Sequence, residues 1–324
     1  MLRYLSLVAL TALLATSCGG GNEEVAATTI ASATETAVAT TTTEAGVRVF
    51  VGADGFDSEI GDTSRIVTLS GDLSEAVFAL GFGSSVVATD VTTIYPPEAV
   101  ALPVVGIGRF LTAEGVLAEN PTLVLGDTQT SPPEAIEQIR SAGVPVVIFA
   151  VPTTFAGLYQ KAADIGTVLG VPDAGQALAD ELRVAIDTVV AEAAPLDPAP
   201  GVAFVYSRGP DVMLLFGKGM TTKPIIEAAG GHDVGAESGI TGSVSVTPEA
   251  IVAAAPDVIV ITQEGLDALG GEEGLLAIPG FAETPAGQAG RILAYSEGDF
   301  LTFGPRIAES LARFISDLRA EIER

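Results

Sequence analysis

Cysteine and histidine, whose side chains often carry out covalent or metal chemistry, are scarce in this sequence of 324 residues. Cys18 is the only cysteine and His232 is the only histidine, so the chain can form neither an internal disulfide nor a His-rich metal cage. His232 follows a pair of glycines, which is a poor place for the base of a catalytic triad. The hydrolase motif G-x-S-x-G is absent. We therefore predict a protein that is not an enzyme and has no catalytic residues.

Three side chains in predicted loops are better candidates for binding a ligand. Tyr95 lies in VTTIYPP after a predicted strand, and ligands of α/β proteins bind beyond the carboxyl ends of strands. Arg109 lies in GIGRFL, and Arg306 lies in FGPR at the start of the last predicted helix. Guanidinium groups pair with anionic groups, so the two arginines suit an acidic ligand. The alternatives are a tyrosine that stacks on its own prolines and two solvated arginines.

The charge of the sequence excludes one class of ligand. It has 41 Asp and Glu against 15 Lys and Arg, a formal net charge of −26. Phosphate recognition needs clustered cations, so a nucleic-acid binder with a basic face is excluded. The same charge opposes electrostatic docking on an anionic membrane. Residues 217–223 contain glycines and lysines but lack the P-loop spacing, so we predict no nucleotide site.

Two stretches of the sequence share one pattern. Residues 111–125 and 246–260 each indicate a threonine cap, a short helix with an acid in its first turn, a proline and a buried strand. Because the period is too long for a solenoid, the pattern predicts two similar lobes. The alternative is convergence on a common helix–proline–strand unit. The matched residues are Thr112 and Thr247, Glu114 and Glu249, Ala118 and Ala253, and Pro121 and Pro256.

Strand and helix patterns alternate within both halves. Such alternation predicts an α/β fold of two similar lobes with mostly parallel sheets covered by helices. Between the lobes, apolar residues from 177 to 190 have helical spacing. About 20 helical residues span ~30 Å, so this segment predicts a long helix that joins the lobes and allows only small closure. Predicted strands include residues 65–69, 202–207 and 291–296, and predicted helices include 72–81, 132–143 and 303–324.

The first 45 residues are predicted to be a secretory signal peptide followed by a disordered tether. Arg3 precedes an apolar run that is too short to span a bilayer, which is typical of a secretory signal. Small residues then lead to Cys18, and this resembles a lipobox, in which the cysteine is acylated; a plain signal peptide is the alternative. The predicted organisation is a signal peptide at 1–17, a lipidated Cys18 with a disordered tether at 18–45, an N-terminal lobe at 46–152, a helical connection at 153–198 and a C-terminal lobe at 199–324.

Over residues 62–324 the sequence resembles the substrate-binding proteins of ABC importers with a helical connection between lobes, which serve haem, vitamin B12 and siderophore uptake. The resemblance rests on RIVTLSGDLSEAVFALGFGSSVVATDVTTIYPPEA, on the two repeated stretches, on PPEAIEQIRSAGVPVV and on FGPRIAESLARF. The sequence is most similar to the haem-binding branch, through LTAEGVLAENPTLVLG and GLDALGGEEGLLAIPGFAETPAG.

This resemblance implies how the protein binds its ligand. It implies an extracytoplasmic, lipid-anchored monomer that captures haem between its lobes, with Tyr95 as the axial ligand, since a phenolate suits ferric haem. Arg109 would pair with a haem propionate or polarise Tyr95, Arg306 would reach the cleft from the other lobe, and Tyr206, at the end of a strand, is the reserve aromatic side chain. His232 is expected in a loop, away from the iron. Cobalamin binders carry the same Tyr-Pro-Pro, so cobalamin or a ferric siderophore stays an alternative.

The resemblance also implies a partner. Relatives use the acid at the position of Glu114 and the acid at the position of Glu249 to dock on arginine pockets of the permease. Equivalent acids on two similar lobes suit a permease dimer, whose ATPase subunits are separate chains. A compatible alternative is that each acid stabilises the first turn of its helix.

Overall fold

Short runs of β-branched residues form the centres of two sheets, and longer amphipathic segments form the helices that cover them. The computed structural model describes residues 41–43, 46–193 and 195–324. Cys18, the predicted signal peptide and most of the predicted tether lie outside these residues.

The strands are β1 (Thr41–Thr43), β2 (Val47–Val51), β3 (Asp57–Ile60), β4 (Ile66–Thr68), β5 (Val86–Ala88), β6 (Leu123–Asp127), β7 (Val146–Phe149), β8 (Gly201–Ser207), β9 (Met213–Phe216), β10 (His232–Asp233), β11 (Ser243–Ser245), β12 (Val258–Thr262) and β13 (Ile292–Tyr295). The helices are α1 (Gly71–Ala79), α2 (Pro97–Val100), α3 (Ala113–Leu117), α4 (Pro133–Ser141), α5 (Phe155–Leu169), α6 (Pro172–Glu192), α7 (Thr222–Ala228), α8 (Val234–Glu237), α9 (Pro248–Ala254), α10 (Gln263–Leu269), α11 (Glu272–Leu276), α12 (Pro285–Ala289), α13 (Glu297–Leu301) and α14 (Ile307–Glu323).

The N-terminal lobe is built on a parallel sheet of order β5-β4-β6-β7. All residues of β4 and β7 are buried, as expected for a parallel sheet that is covered on both faces. A separate antiparallel sheet of order β1-β2-β3 precedes it. Phe50 of this sheet packs on Phe149 of β7, with 5.7 Å between ring centroids. The sequence analysis did not predict β2 and β3, and β1 lies within the range predicted as tether.

The C-terminal lobe has a mixed sheet of order β11-β9-β8-β12-β13, with β10 beside β8. Strands β8, β12, β13 and β10 are parallel, whereas β9 runs antiparallel to β8 and β11 antiparallel to β9. The antiparallel part was not predicted. It forms because the chain reverses directly after β8, through a turn at Gly209 with a φ of 91°.

Helices α5 and α6 follow β7 and lead to β8. The Oγ1 atom of Thr154 accepts a hydrogen bond from the backbone of Gly157 and caps α5, and Gly170 ends it in the left-handed conformation. Leu158 of α5 packs into the core of the C-terminal lobe, whereas Ile165, two turns later, packs into the core of the N-terminal lobe. The connection therefore contains the predicted helix, α6, and a second helix that is shared by both cores.

The two-lobed α/β fold class is confirmed, while the exact lobe boundaries at 46–152, 153–198 and 199–324 stay a prediction. Within the described ranges, we find no helix with the length and apolarity required to cross a membrane.

Candidate functional site

Tyr95 lies at the carboxyl end of the N-terminal sheet, in the loop between β5 and α2. Its side chain is 42% exposed, and the peptide bond to Pro96 is cis. Asp90 organises the start of this loop, because its Oδ1 atom accepts hydrogen bonds from the backbone and hydroxyl of Thr92 at 3.0 and 2.6 Å. Its other oxygen accepts a long hydrogen bond of 3.5 Å from the backbone of Gly108. Asp90 thus joins the Tyr95 loop to the loop that carries Arg109.

Asp90 is almost completely buried. Burial raises the pKa of this carboxyl group, although the hydrogen bonds from Thr92 and Gly108 act in the opposite direction. The sequence analysis missed Asp90. Its place directly after a predicted buried strand was the available signal, since short polar side chains at strand ends often form such turns.

Arg306 reaches Tyr95 from the other lobe. The Cζ atom of Arg306 lies 4.3 Å from the centroid of the Tyr95 ring, well within the range of a cation–π interaction. Arg306 directly precedes α14, whose residues Ile307, Leu311 and Phe314 are buried in the core of the C-terminal lobe. Two side chains that the sequence analysis selected separately are therefore in contact across the boundary between lobes.

Arg306 is held in this position by Glu75 of α1. The Nε and Nη2 atoms of Arg306 donate hydrogen bonds of 3.0 and 2.9 Å to Oε1 of Glu75. Glu75 is 4% exposed, and its other oxygen, Oε2, is buried with no hydrogen-bond partner in the part of the chain that the structure describes. Burial raises the pKa of Glu75 more than the hydrogen bonds and charge of Arg306 lower it. The sequence analysis assigned no role to Glu75.

A second buried ion pair lies one helical turn away. Lys161 of α5 contacts the Oδ2 atom of Asp72 at 2.5 Å, and Lys161 is only 6% exposed. Asp127, at the end of β6, is close enough for its pKa to respond to both charges. Burial raises the pKa of Asp127 most, Asp72 raises it further, and Lys161 lowers it. The carboxyl ends of the N-terminal strands therefore meet a small group of paired charges.

Arg109 is exposed and is bound to residues near the end of β6. Its Nη2 atom donates a hydrogen bond of 2.6 Å to Oε1 of Gln129, and its carbonyl oxygen accepts one of 2.7 Å from Ser131. The neighbouring Phe110 is 77% exposed. In the described structure no hydrogen bond, ion pair or ring contact joins Arg109 to Tyr95 or Arg306, so the predicted set of ligand residues is only partly brought together.

Tyr206 lies near the end of β8 on the C-terminal lobe. Its ring is stacked on Phe216 with centroids 6.1 Å apart, and the Cζ atom of Arg208 lies 5.0 Å from its centroid. Arg208 also forms a two-pronged ion pair with Glu297 at the start of α13. Tyr206 was predicted from the sequence, whereas Arg208 and Glu297 were not. In the part of the chain that the structure describes, no ring contact joins Tyr206 to Tyr95.

The two predicted docking acids occupy equivalent positions on the two lobes. Glu114 lies in the first turn of α3 and Glu249 in the first turn of α9, and both are exposed. Neither carboxylate forms an ion pair or hydrogen bond with another residue of the described ranges. Both helices begin after a threonine, but only Thr247 caps its helix with its side chain.

His232 was predicted in a loop, and the structure corrects this, because His232 forms the short strand β10 beside β8. The backbone of His232 and Asp233 pairs with Gly201 and Val202, the first residues of β8. The Nδ1 atom of His232 lies 2.8 Å from Oε2 of Glu237. Among the described residues there is no group of three or more His, Cys, Asp or Glu side chains that could hold a metal ion.

Comparison with known proteins identifies the family. Residues 66–297 match the family model described as periplasmic binding protein. The chain belongs to this family. A protein of Halobacterium salinarum named cobalamin-binding protein is 30% identical over 263 residues, which cover 78% of this chain and 68% of that protein.

Solved structures resemble this periplasmic binding protein more closely. The periplasmic heme-binding protein RhuT from Roseiflexus sp. RS-1, in apo form, is 40% identical with a TM-score of 0.77, over 80% of this chain and 99% of that chain. The heme-binding protein HmuT is 36% identical with a TM-score of 0.78, over 83% of this chain and 89% of that chain.

These similarities confirm several predictions. The periplasmic binding protein is the substrate-binding component of an ABC importer, acts outside the cytoplasm and works with a permease and an ATPase. Its relatives are binding proteins, which confirms the prediction that it is not an enzyme. The ligands in the relatives' names differ between haem and cobalamin.

Proposed function

We propose that this periplasmic binding protein captures haem between its lobes and delivers it to the permease, with Tyr95 as the axial ligand of the iron. The observation that carries the proposal is an exposed phenol on the loop at the lobe boundary, with the guanidinium of Arg306 against its ring. The similarity to RhuT and HmuT, at 40% and 36% identity, supports haem as the ligand.

The chemistry of these side chains suits an iron porphyrin. A phenolate oxygen is a hard anionic donor, which ferric haem accepts as an axial ligand. The propionate groups of haem are anionic and pair with cations. Arg109 is exposed, and only part of its guanidinium is hydrogen-bonded to Gln129. Arg306 uses Nε and one hydrogen of Nη2 on Glu75, so Nη1 and the second hydrogen of Nη2 remain for a propionate. Tyr206 and Arg208 would contact the ligand from the C-terminal lobe.

A hemin titration of the purified protein tests the proposal. We expect a saturable shift of the Soret band, and we expect Tyr95→Phe to weaken hemin binding by at least about tenfold with a changed spectrum, because one iron bond is lost. Tyr159→Phe is a matched control, since Tyr159 also carries an arginine 5.0 Å above its ring but lies on α5. The absence of a saturable shift would overturn the haem proposal. A shift unchanged by Tyr95→Phe would overturn the assignment of the ligand residue.

A second candidate ligand is cobalamin, because the Halobacterium salinarum relative carries that name and covers 78% of this chain at 30% identity. A ferric siderophore belongs to the same alternative. Competition between hemin, cyanocobalamin and a ferric siderophore separates these ligands. The haem proposal requires that neither competitor displaces hemin at equal concentration.

We also propose the remaining parts of the assembly. A lipid on Cys18 would hold the protein at the membrane, and Glu114 with Glu249 would contact the permease while the protein acts as a monomer. The paired, exposed positions of the two acids support the docking role. Fractionation of cells that express Cys18→Ala tests the anchor, since the variant should leave the membrane fraction.

A further inference from the structure

The Arg306 guanidinium contacts two partners in the other lobe at once. Its Cζ atom lies over the ring of Tyr95, and its Nε and Nη2 atoms are bound to the buried Oε1 of Glu75. The two interactions act on one rigid planar group, so they fix its position together. Glu75 does not contact Tyr95 directly in the described structure, and any effect on Tyr95 passes through Arg306.

The backbone that carries Arg306 is also held close to α1. Phe303 stacks on Phe155 with ring centroids 5.4 Å apart, and Phe303 is 3% exposed. A Cβ atom on Gly304 would lie 3.0 Å from Cβ of Asp72 and 3.4 Å from Oε2 of Glu75, which is tighter than ordinary van der Waals contact. Phe303 thus packs the segment on the start of α5, Gly304 places it against α1, and Glu75 binds the guanidinium.

Burying the carboxylate of Glu75 costs desolvation free energy, so the Glu75–Arg306 pair is weak evidence for a role in stability. One oxygen of Glu75 accepts both hydrogen bonds, while Oε2 is buried without a partner in the described part of the chain. Apolar residues of similar volume at both positions would avoid this desolvation penalty. The pair instead fixes one geometry between helix α1 of one lobe and the start of α14 of the other. That geometry ends on the face of Tyr95.

We propose that Glu75 is a positioning residue, which holds Arg306 against Tyr95 and thereby determines how firmly Tyr95 holds its ligand. This inference rests on the proposed function, in which Tyr95 binds the iron of haem. It adds a residue of helix α1 to the ligand site, although Glu75 is only 4% exposed.

The first test needs no ligand. The protein is labelled with 3-fluorotyrosine, and the ¹⁹F resonance of Tyr95 is assigned by its loss in Tyr95→Phe. We expect Glu75→Gln and Arg306→Met to move this resonance in the same direction, because Arg306→Met removes the cation from the ring and Glu75→Gln removes the negative charge that holds the cation there. A Tyr95 resonance that Glu75→Gln leaves unmoved would overturn the proposal.

The chain offers a matched control for this experiment. Asp299 binds Arg313 at 3.0 Å, and the Cζ atom of Arg313 lies 4.7 Å from the ring centroid of Tyr295, so an acid, an arginine and a tyrosine repeat within one lobe. Asp299→Asn should move the resonance of Tyr295 and leave that of Tyr95 in place. A general loss of structure in Glu75→Gln would move all tyrosine resonances, and Glu75→Asp then serves as the milder variant.

The second test measures the ligand. We expect hemin to dissociate about tenfold faster from Glu75→Gln, the effect of roughly one charge-assisted hydrogen bond, with an altered spectrum of the iron–tyrosinate complex. The double variant with Arg306→Met should be no faster than Arg306→Met alone, because both changes act through one contact. An unchanged rate and spectrum, with a lowered melting temperature only, would show a purely structural role. If the wild-type protein fails to bind hemin, the proposed function falls, whereas the ¹⁹F result still decides whether Glu75 positions Arg306.

Discussion

Gly298 of α13 lies directly against Ile94, the residue before Tyr95, so closely that a Cβ atom on Gly298 would overlap the Ile94 side chain. The contact joins the lobes at the loop proposed to bind haem. Because Ile94 is 47% exposed, its displacement should cost little folding energy but should move Tyr95.

We therefore predict that Gly298→Val lowers hemin affinity by about tenfold, which corresponds to ~1.4 kcal/mol, with little change in the urea midpoint. Gly61→Ala is the control, since the nearest atom to a Cβ there is a methyl group of Val47 at 3.8 Å. Hemin titration and urea unfolding of both variants check the prediction. Equal affinity of Gly298→Val and the wild type would contradict it.

Because Lys161 and Asp72 form a buried ion pair, substituting one of them should destabilise the protein, and substituting the other as well should restore stability. Their side chains are 5% and 15% exposed, so removing one partner leaves a buried charge. Lys161→Met should lower the free energy of unfolding by about 3 kcal/mol, and adding Asp72→Asn should recover most of this. Urea unfolding measures both values. A double variant as unstable as Lys161→Met would show that packing, not charge, is responsible.

The buried Asp90 predicts how stability depends on pH. Burial raises the pKa of Asp90 in the folded protein, so the folded state binds a proton more tightly than the unfolded state. The stability linked to this group is fully present below its unfolded pKa, near 4, and is lost as the pH rises through the folded pKa. Asp90→Asn has no group that titrates here and so avoids this loss. The unfolding free energy of Asp90→Asn minus that of the wild type should therefore increase from pH 4 to pH 7.

The size of that improvement is about 1.4 kcal/mol for each pH unit that separates the folded and unfolded pKa values of Asp90. Asp62→Asn is a control of opposite sign, because a hydrogen bond of 2.8 Å from the backbone of Ser64 lowers the pKa of exposed Asp62, so stability linked to this group is lost only as the pH falls below about 4. Urea unfolding from pH 7 to below about pH 4 measures both slopes. Identical slopes for Asp90→Asn and the wild type would contradict the assignment.

The docking proposal predicts a separation of binding from transport. Glu114→Arg and Glu249→Arg should each reduce uptake by the reconstituted importer at least tenfold, because a like charge would face the permease cations. Hemin binding by either variant should be unchanged. Glu134→Arg is the matched control, since Glu134 is another exposed acid in the first turn of a helix. Normal uptake by both docking variants would refute the role.

Local patterns predicted much of the fold. Threonine, a first-turn acid, proline and an apolar run correctly indicated α3 with β6 and α9 with β12, since caps and buried strands depend on neighbouring residues. The antiparallel pairing of β9 with β8 and of β11 with β9 was missed. The reversal at Gly209 was a local signal for the β8–β9 pair, whereas β11 pairs with a strand that is distant in the sequence, which a single sequence does not reveal.

The residues of the candidate site likewise fall into those predicted from local motifs and one that was missed because its partner is distant. Tyr95 and Arg306 were found because each lies in a distinctive short motif. Glu75 was missed because its partner Arg306 is 231 residues away, and within α1 it resembles an ordinary helical acid. Its position between buried Leu73, Ala76 and Val77 was the signal, since an acid surrounded by core residues needs a partner.

Helix α5 donates side chains to two cores at once: Leu158 and Ala162 to one, and Ile165 and Val168 to the other. Unfolding of either lobe would therefore expose apolar side chains in the core of the other lobe. Calorimetry of residues 46–324 should accordingly register a single cooperative heat-absorption peak, and a gene fragment that encodes either half alone should yield an insoluble or molten product.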